Sequence, residues 1–344
     1  MNSPFFSVII PVYNPNIEQF EHMLDSLTKQ IAIDKEDIEV IFVDDCSPNK
    51  AFLNSLNDFE MPYRLLSTEV NSGQGVAREI GTKEATGEWI TYLDQDDTLT
   101  TSALVSAKME IKYSKCEFLL DTKVIIADNY DWAITGLYHI INTDDVLHAK
   151  FINRKELVRR GIHFHSKLRT AEDTYFYNIC VVIAIHESKH NGRENYFVQS
   201  PTATYVWYLW DNSTSHKFDN GIDYFEKNFD DYVTACIDST DCLTHMLKTT
   251  LLVKPRIISA LINFYHHYEL YTFRGKAWGH NPTEMMKSIR RYYKYVQQFG
   301  MTKDEIKRVL PKCSEIYCDL LMIISSRQSP YIPEHSLYEF LDMI

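Results

Sequence analysis

Residues Trp89 to Asp97 read Trp-Ile-Thr-Tyr-Leu-Asp-Gln-Asp-Asp, an apolar run that ends in three carboxylates, Asp94, Asp96 and Asp97. Like charges this close repel unless a cation or a donor-rich ligand sits among them, so the cluster points to a divalent metal. Two further polar clusters, Tyr13-Asn14 and Asp44-Asp45-Cys46-Ser47, also follow apolar runs. A separate acidic pair, Glu172-Asp173, opens a helical pattern after Thr170, where negative charge suits the helix dipole whatever its function.

The elements that must position these groups follow from the periodicity. Ser7 to Val12 is a continuous apolar run of the kind buried on both faces of a sheet, and Ile17, Phe20, Met23, Leu24 and Leu27 then recur at helical spacing. Ile38 to Val43, Tyr63 to Ser67 and Trp89 to Leu93 are expected as strands, with helices over Ala51 to Phe59 and Gly75 to Thr86 between them. Such alternation implies right-handed crossovers and a mostly parallel, doubly wound α/β sheet whose ligands sit beyond the carboxyl ends of its strands. All three polar clusters fall at those ends, so one shared site is expected.

Farther along, Leu119 to Ala127 and Gly136 to Ile141 suggest strands, Arg154 to Arg160 a short helix, and Ala171 to Ile185 a longer one. From Phe218 onward the patterns are nearly all helical. The boundary is placed near Lys217, giving an α/β catalytic domain over 1–217 and a helical domain over 218–344 that serves the acceptor, an interface or oligomerisation.

The 344 residues suffice for a large core, and 45% hydrophobic with 24% charged residues is ordinary for a globular chain. A net charge of -12 argues against nucleic acid as a partner, because phosphate contacts need clustered Lys and Arg. The seven cysteines, Cys46, Cys116, Cys180, Cys236, Cys242, Cys313 and Cys318, form no Cys-x-x-Cys pair, which suggests reduced thiols rather than zinc or disulfides. Neither a basic-then-apolar leader nor a membrane-length apolar run is visible, so a cytoplasmic location is expected, with the inner face of the cell membrane as its limit.

Taken in order, Ser-Val-Ile-Ile-Pro-Val-Tyr-Asn at 7–14, Val-Asp-Asp-Cys-Ser-Pro at 43–48, Asn-Ser-Gly-Gln-Gly-Val-Ala-Arg at 71–78, Ala-Thr-Gly-Glu-Trp-Ile at 85–90 and Leu-Asp-Gln-Asp-Asp at 93–97 resemble the family 2 glycosyltransferases. The resemblance continues through Leu147–Phe151 and Ala171–Phe176 to about His216, and leaves the helical remainder uncovered. It implies a glycosyltransferase A fold, a nucleotide-sugar donor and inversion at the anomeric carbon. The donor-binding residues it implies are Pro11, Val12, Tyr13, Asn14, Asp44, Asp45, Asn71, Gly75, Arg78, Asp94 and Gln95. Chemically, Tyr13 offers an aromatic face to a base, and Asp44 can accept the N3–H of uracil or thymine, which favours a UDP-sugar or, alternatively, a dTDP-sugar such as that of a rhamnosyl transferase. Either of the adjacent pair Asp44-Asp45 can instead cap a helix.

The stretch 71–78 resembles a phosphate cradle, with Gly73 and Gly75 admitting close approach and Arg78 supplying charge. In the Asp-x-Asp motif the resemblance makes Asp96 the direct ligand of Mn²⁺ or Mg²⁺, with Asp94 facing the ribose or reaching the metal through water. Asp97 is expected to cap a helix beginning at Thr98. The resemblance makes Asp173 the base that deprotonates the acceptor hydroxyl, with Glu172 orienting it or touching the acceptor.

Residues 205–216 stand where the family carries a mobile loop, but Leu209 or Trp210 replaces the arginine often found there, and His216 is a further candidate contact. His148 and Lys150 are candidates for the acceptor side. Aromatic residues Phe264, Tyr265, Tyr268, Tyr271, Tyr292, Tyr293 and Tyr295 are expected in a core or an oligomer interface. The run Arg290 to Lys294 is a candidate for peripheral contact with anionic lipid. The expected acceptor is a glycan, lipid-linked or glycoprotein hydroxyl. A catalytically inactive nucleotide-sugar-binding module is the alternative, distinguished by tight UDP binding without turnover.

Overall fold

Phe6–Val12 (β1) is buried along its whole length, as a strand covered on both faces must be. It lies parallel to Ile38–Asp44 (β2) on one side, and Tyr63–Ser67 (β3) extends the parallel set beyond β2. On its other side Trp89–Tyr92 (β4) is also parallel, pairing Val8 with Thr91. Ile17–Thr28 (α1) follows β1, capped by the Asn16 side chain, which accepts from the Gln19 N–H, and buries Phe20, Met23, Leu24 and Leu27. Phe52–Asn57 (α2) and Gln74–Glu84 (α3) complete the alternation.

The structure is a computed structural model that describes residues 3–127, 129–131, 133, 138–141, 147–210, 218–219, 222–223, 228–249, 253–278, 282–309 and 335–344. Two units result, Met1–Trp210 and Asp211–Ile344.

After β4 the first unit departs from the parallel pattern. Thr98–Leu99 (β5), Leu119–Ala127 (β6), Tyr138–Ile141 (β7), Lys150–Asn153 (β8) and Phe197–Tyr208 (β9) complete a sheet of order β3-β2-β1-β4-β8-β6-β9-β5, with β7 beside β6. Strand β8 runs antiparallel to both β4 and β6, β9 is parallel to β6, and β5 is antiparallel to β9. The sheet is therefore mixed: parallel at β3-β2-β1-β4, where strands alternate with helices, and mixed where β8 enters. Ala103–Ser114 (α4), Arg154–Arg160 (α5) and Glu172–His190 (α6) are the remaining described α-helices of this unit at lengths of seven residues or more.

The second unit contains a short pair, Phe218–Asp219 (β10) with Ile222–Asp223 (β11), and helices Phe229–Leu247 (α7), Val253–Trp278 (α8), Thr283–Val296 (α9), Lys303–Val309 (α10) and Leu337–Met343 (α11). Phe229, Tyr232 and Tyr292 all meet Phe264 edge-on, with centroids 5.5, 5.3 and 5.0 Å from it. These four rings are core residues of the helical unit. No helix among the described residues is long and apolar enough to cross a membrane.

Candidate functional site

The carboxyl ends of β1, β2 and β4 meet at one edge, where side chains tie each strand end to the next. Gln95 joins β4 to β1 reciprocally: the Tyr13 N–H donates to its Oε1 at 2.8 Å, and its Nε2 donates to the Tyr13 carbonyl at 3.2 Å. The Tyr13 ring is 45% exposed, while Pro11 and Val12 lie buried within β1. Asn14, held at a φ of 45°, donates its N–H to Ser47 Oγ at 2.8 Å, linking β1 to the loop after β2.

Asp44 and Asp45 divide their work. Asp44 is 1% exposed; its Oδ1 accepts the Ser47 N–H at 3.0 Å, and its Oδ2 pairs with Lys50. A base approaching Asp44 must therefore displace Lys50. Asp45 turns toward the cradle: Oδ1 accepts the Ser72 N–H and the Thr68 hydroxyl at 2.8 and 2.9 Å, and Oδ2 accepts the Gly73 N–H at 2.7 Å. These donors precede α3, so Asp45 anchors a loop far along the chain, whereas an N-cap serves the helix it opens. Gly73 takes a φ of 95°, which favours glycine. Asn71 receives the Arg169 guanidinium on its side-chain oxygen at 3.0 Å and on its carbonyl at 3.1 Å.

Gly75 allows a close approach between helices. A Cβ there would stand 2.7 Å from Glu172 Cγ and 2.9 Å from Glu172 Cβ, so the absent side chain lets α3 pack against the first turn of α6. One turn on, Arg78 is 4% exposed and divides its guanidinium. It donates to Glu172 Oε1 at 2.6 Å, to Asp94 Oδ1 at 2.6 Å and to Gln74 Oε1 at 3.0 Å. The acidic turn after β4 and the helix that begins at Glu172 are thus joined by one side chain.

Strand β9 closes the other side of the acidic turn. Asp94 donates its N–H to Tyr205 Oη at 3.2 Å, and that hydroxyl donates to Asp97 Oδ2 at 2.7 Å. Asp97 Oδ1 accepts the Tyr208 N–H at 2.9 Å, and the Trp210 indole N–H donates to the Asp96 carbonyl at 3.0 Å. Asp97 therefore caps no helix: Thr98 enters β5, and α4 starts at Ala103. Tyr205 to Tyr208 likewise belong to a strand rather than a mobile loop, while His216 lies outside the described residues. His148 Nε2 stands 3.3 Å from Asp94 Oδ2. Among the described residues, Asp94, Asp97 and His148 place possible metal-ligand atoms within 4.8 Å of one another. The Asp96 carboxylate is not part of that group.

Charge balance separates these acids. Burial opposes ionisation of Asp94, but Arg78 and His148 hold its carboxyl well below the usual range. Asp97 is raised well above the usual range by burial and then by the charges of Asp96 and Asp94. Glu172 is pushed up to about 7 by burial and by Asp173, against the pull of Arg78. One guanidinium serves two carboxylates here, and Asp94 has the larger share.

The raised Glu172 value has a measurable consequence. An unfolded glutamate loses its proton near 4.5 and the folded one near 7, so its contribution to stability is present below 4.5 and is lost as pH rises to 7. E172Q removes this dependence. The stability of E172Q relative to wild type should therefore rise, by on the order of 3 kcal/mol, between those pH values and level off above them, as read by urea unfolding.

Several contacts in the site had no sequence expectation behind them. Tyr205 and Tyr208 bind Asp97 across 108 and 111 residues. Lys50 and Arg169 carried one faint signal, a cation near an already suspected motif.

Residues 7–131 match the family model described as Glycosyl transferase family 2. An uncharacterized glycosyltransferase of Haemophilus influenzae is 35% identical over 106 residues, which is 30% of this chain and 41% of the relative. The poly(ribitol-phosphate) beta-N-acetylglucosaminyltransferase TarS of Staphylococcus aureus is 34% identical over 122 residues, 33% of this chain and 20% of TarS. The chain thus spans less than half the length of either curated relative. Its fold is similar to that of S. aureus TarS 1-349 in complex with UDP-GlcNAc, with a TM-score of 0.52 and 18% identity over 86% of this chain and 91% of that one. The mixed α/β sheet is accordingly of the glycosyltransferase A type. Residues 7–131, which carry β1 to β6 and the acidic turn, are thus the part of the chain that is similar to glycosyl transferase family 2.

Proposed function

We propose that the protein is a metal-dependent, inverting glycosyltransferase that moves a sugar from a UDP-linked donor to a hydroxyl of a glycan, lipid-linked or glycoprotein acceptor. The observation that carries this reading is the Arg78 bridge, which joins Asp94 of the acidic turn to Glu172, the neighbour of Asp173. A donor held at the strand ends then has a carboxylate base beside it, as an in-line displacement requires.

Each residue has a role within that reading. Tyr13 stacks on the base, and the uracil N3–H takes the place of Lys50 on Asp44 Oδ2. Asn14, Asp45, Asn71 and Gly75 shape the cradle, with Gln95 holding Tyr13 in place. Asp173, less buried than Glu172, meets the acceptor hydroxyl. The hard, crowded carboxylates of Asp94 and Asp96 suit Mn²⁺ or Mg²⁺, and their charge is close enough to be felt at Asp97. Such an ion, when bound, neutralises the departing diphosphate. The helical unit serves acceptor binding or self-association.

Nucleotide sugars screened by thermal unfolding with Mn²⁺ or Mg²⁺ test donor and metal together. A true donor at 100 times its Kd stabilises the fold by about 3 kcal/mol, and only when the ion is present. Transfer should vanish in Asp96→Ala. Undiminished transfer by that variant in chelator would overturn the metal-dependent reading.

A further inference from the structure

We propose that His148 is a nitrogen ligand of the donor-site cation and makes that site select a transition-metal ion, manganese, over magnesium. The inference rests on the metal-dependent reading given above and adds a ligand from outside the acidic turn.

His148 reaches the turn from a different part of the sheet. It lies on the bend before β8, where Ala149 has a φ of 60°. The Ala149 carbonyl accepts the Thr122 N–H at 3.0 Å and the Thr122 hydroxyl at 2.8 Å. Next to it, fully buried Lys150 pairs with Asp121 at 2.6 Å. The bend is therefore fixed to β6 by polar contacts in the interior. The imidazole lies between Tyr205 and Trp207, with ring centroids 4.8 and 5.3 Å away. Its Nε2 faces Asp94 Oδ2, the carboxylate oxygen that Arg78 does not engage.

The spacing suits two ligands of one ion. Two donors bound at right angles to a dication at about 2.1 to 2.2 Å stand about 3 Å apart, close to the separation seen here. As a hydrogen bond, by contrast, 3.3 Å is long. Asp97 lies within the same 4.8 Å group, with both of its oxygens engaged by β9. An imidazole in the donor set favours transition ions, whereas magnesium prefers oxygen ligands and keeps its water.

Pulsed electron paramagnetic resonance of Mn²⁺ bound to the full chain with UDP reads the ligand directly. Wild type should show modulation from a directly bound imidazole nitrogen, and His148→Gln should lose it. Calorimetry should show Mn²⁺ affinity in that variant reduced by at least about 10-fold, the scale at which even outer-sphere partners count, with Mg²⁺ affinity changed by less than about twofold. If His148→Gln fails to fold, the wild-type spectrum still decides the matter. Mn²⁺ that binds wild type without nitrogen modulation would overturn the inference and leave the metal-dependent reading intact. Failure of wild type to bind either ion would remove both.

Discussion

Asp173→Asn should lower kcat for transfer by about 10² to 10⁴-fold, the contribution of a positioned general base, while donor KM stays within about twofold. The two acids at the start of α6 differ in environment. Glu172 is buried and engaged by Arg78, whereas Asp173 is only half-buried and accepts the Thr174 N–H on Oδ1 at 2.8 Å. Only Asp173 has the exposure to meet an incoming hydroxyl. Asparagine preserves shape and that backbone contact but cannot take a proton, so the loss should fall on kcat. Nucleotide release with and without acceptor, together with the thermal shift given by UDP, separates chemistry from binding. A variant that transfers within threefold of wild type would exclude Asp173 as the base.

The sequence revealed what is local and missed what is not. Strands β1, β2 and β4 were readable because strands buried on both faces must be apolar without interruption. Strand β9 was not, because Gln199, Ser200, Thr202 and Thr204 break any alternation. It is held by its pairing with β6, whose register shifts between Asp121 and Val124. The antiparallel entry of β8, a four-residue strand, was equally silent, so the parallel character of the first half was extended too far. The same division applies to the site. The acidic turn and the Glu172-Asp173 pair stand out as clusters along the chain. The role of Asp97 does not, since its partners arrive from β9 and its sequence neighbours suggest only a cap. Arg78 was expected to face phosphate. Nothing in a single sequence reveals that Asp94 and Glu172, 16 and 94 residues away, are its partners.

That bridge is where the largest loss of stability is expected. Arg78→Met keeps the length of the side chain but leaves Asp94 and Glu172 without their shared cation in a buried setting. Removing one partner of a buried ion pair costs about 3 to 5 kcal/mol, because the remaining charge stays desolvated. The urea midpoint should fall accordingly, with an unchanged slope showing that the folded state itself is retained. Arg78→Lys should recover only part of the loss: an ammonium supplies one point of charge, whereas the guanidinium reaches both carboxylates at 2.6 Å. Adding Glu172→Gln to Arg78→Met removes a buried carboxyl that has lost its partner, so the double variant should be more stable than Arg78→Met alone, with a coupling of about 0.5 to 3 kcal/mol between the sites. Strict additivity in that cycle would mean the two side chains do not share a charge. A confirmed coupling would mean that the acid-bearing helix is held to the acidic turn by this pair, since Gly75 provides the room for contact and Arg78 the attraction.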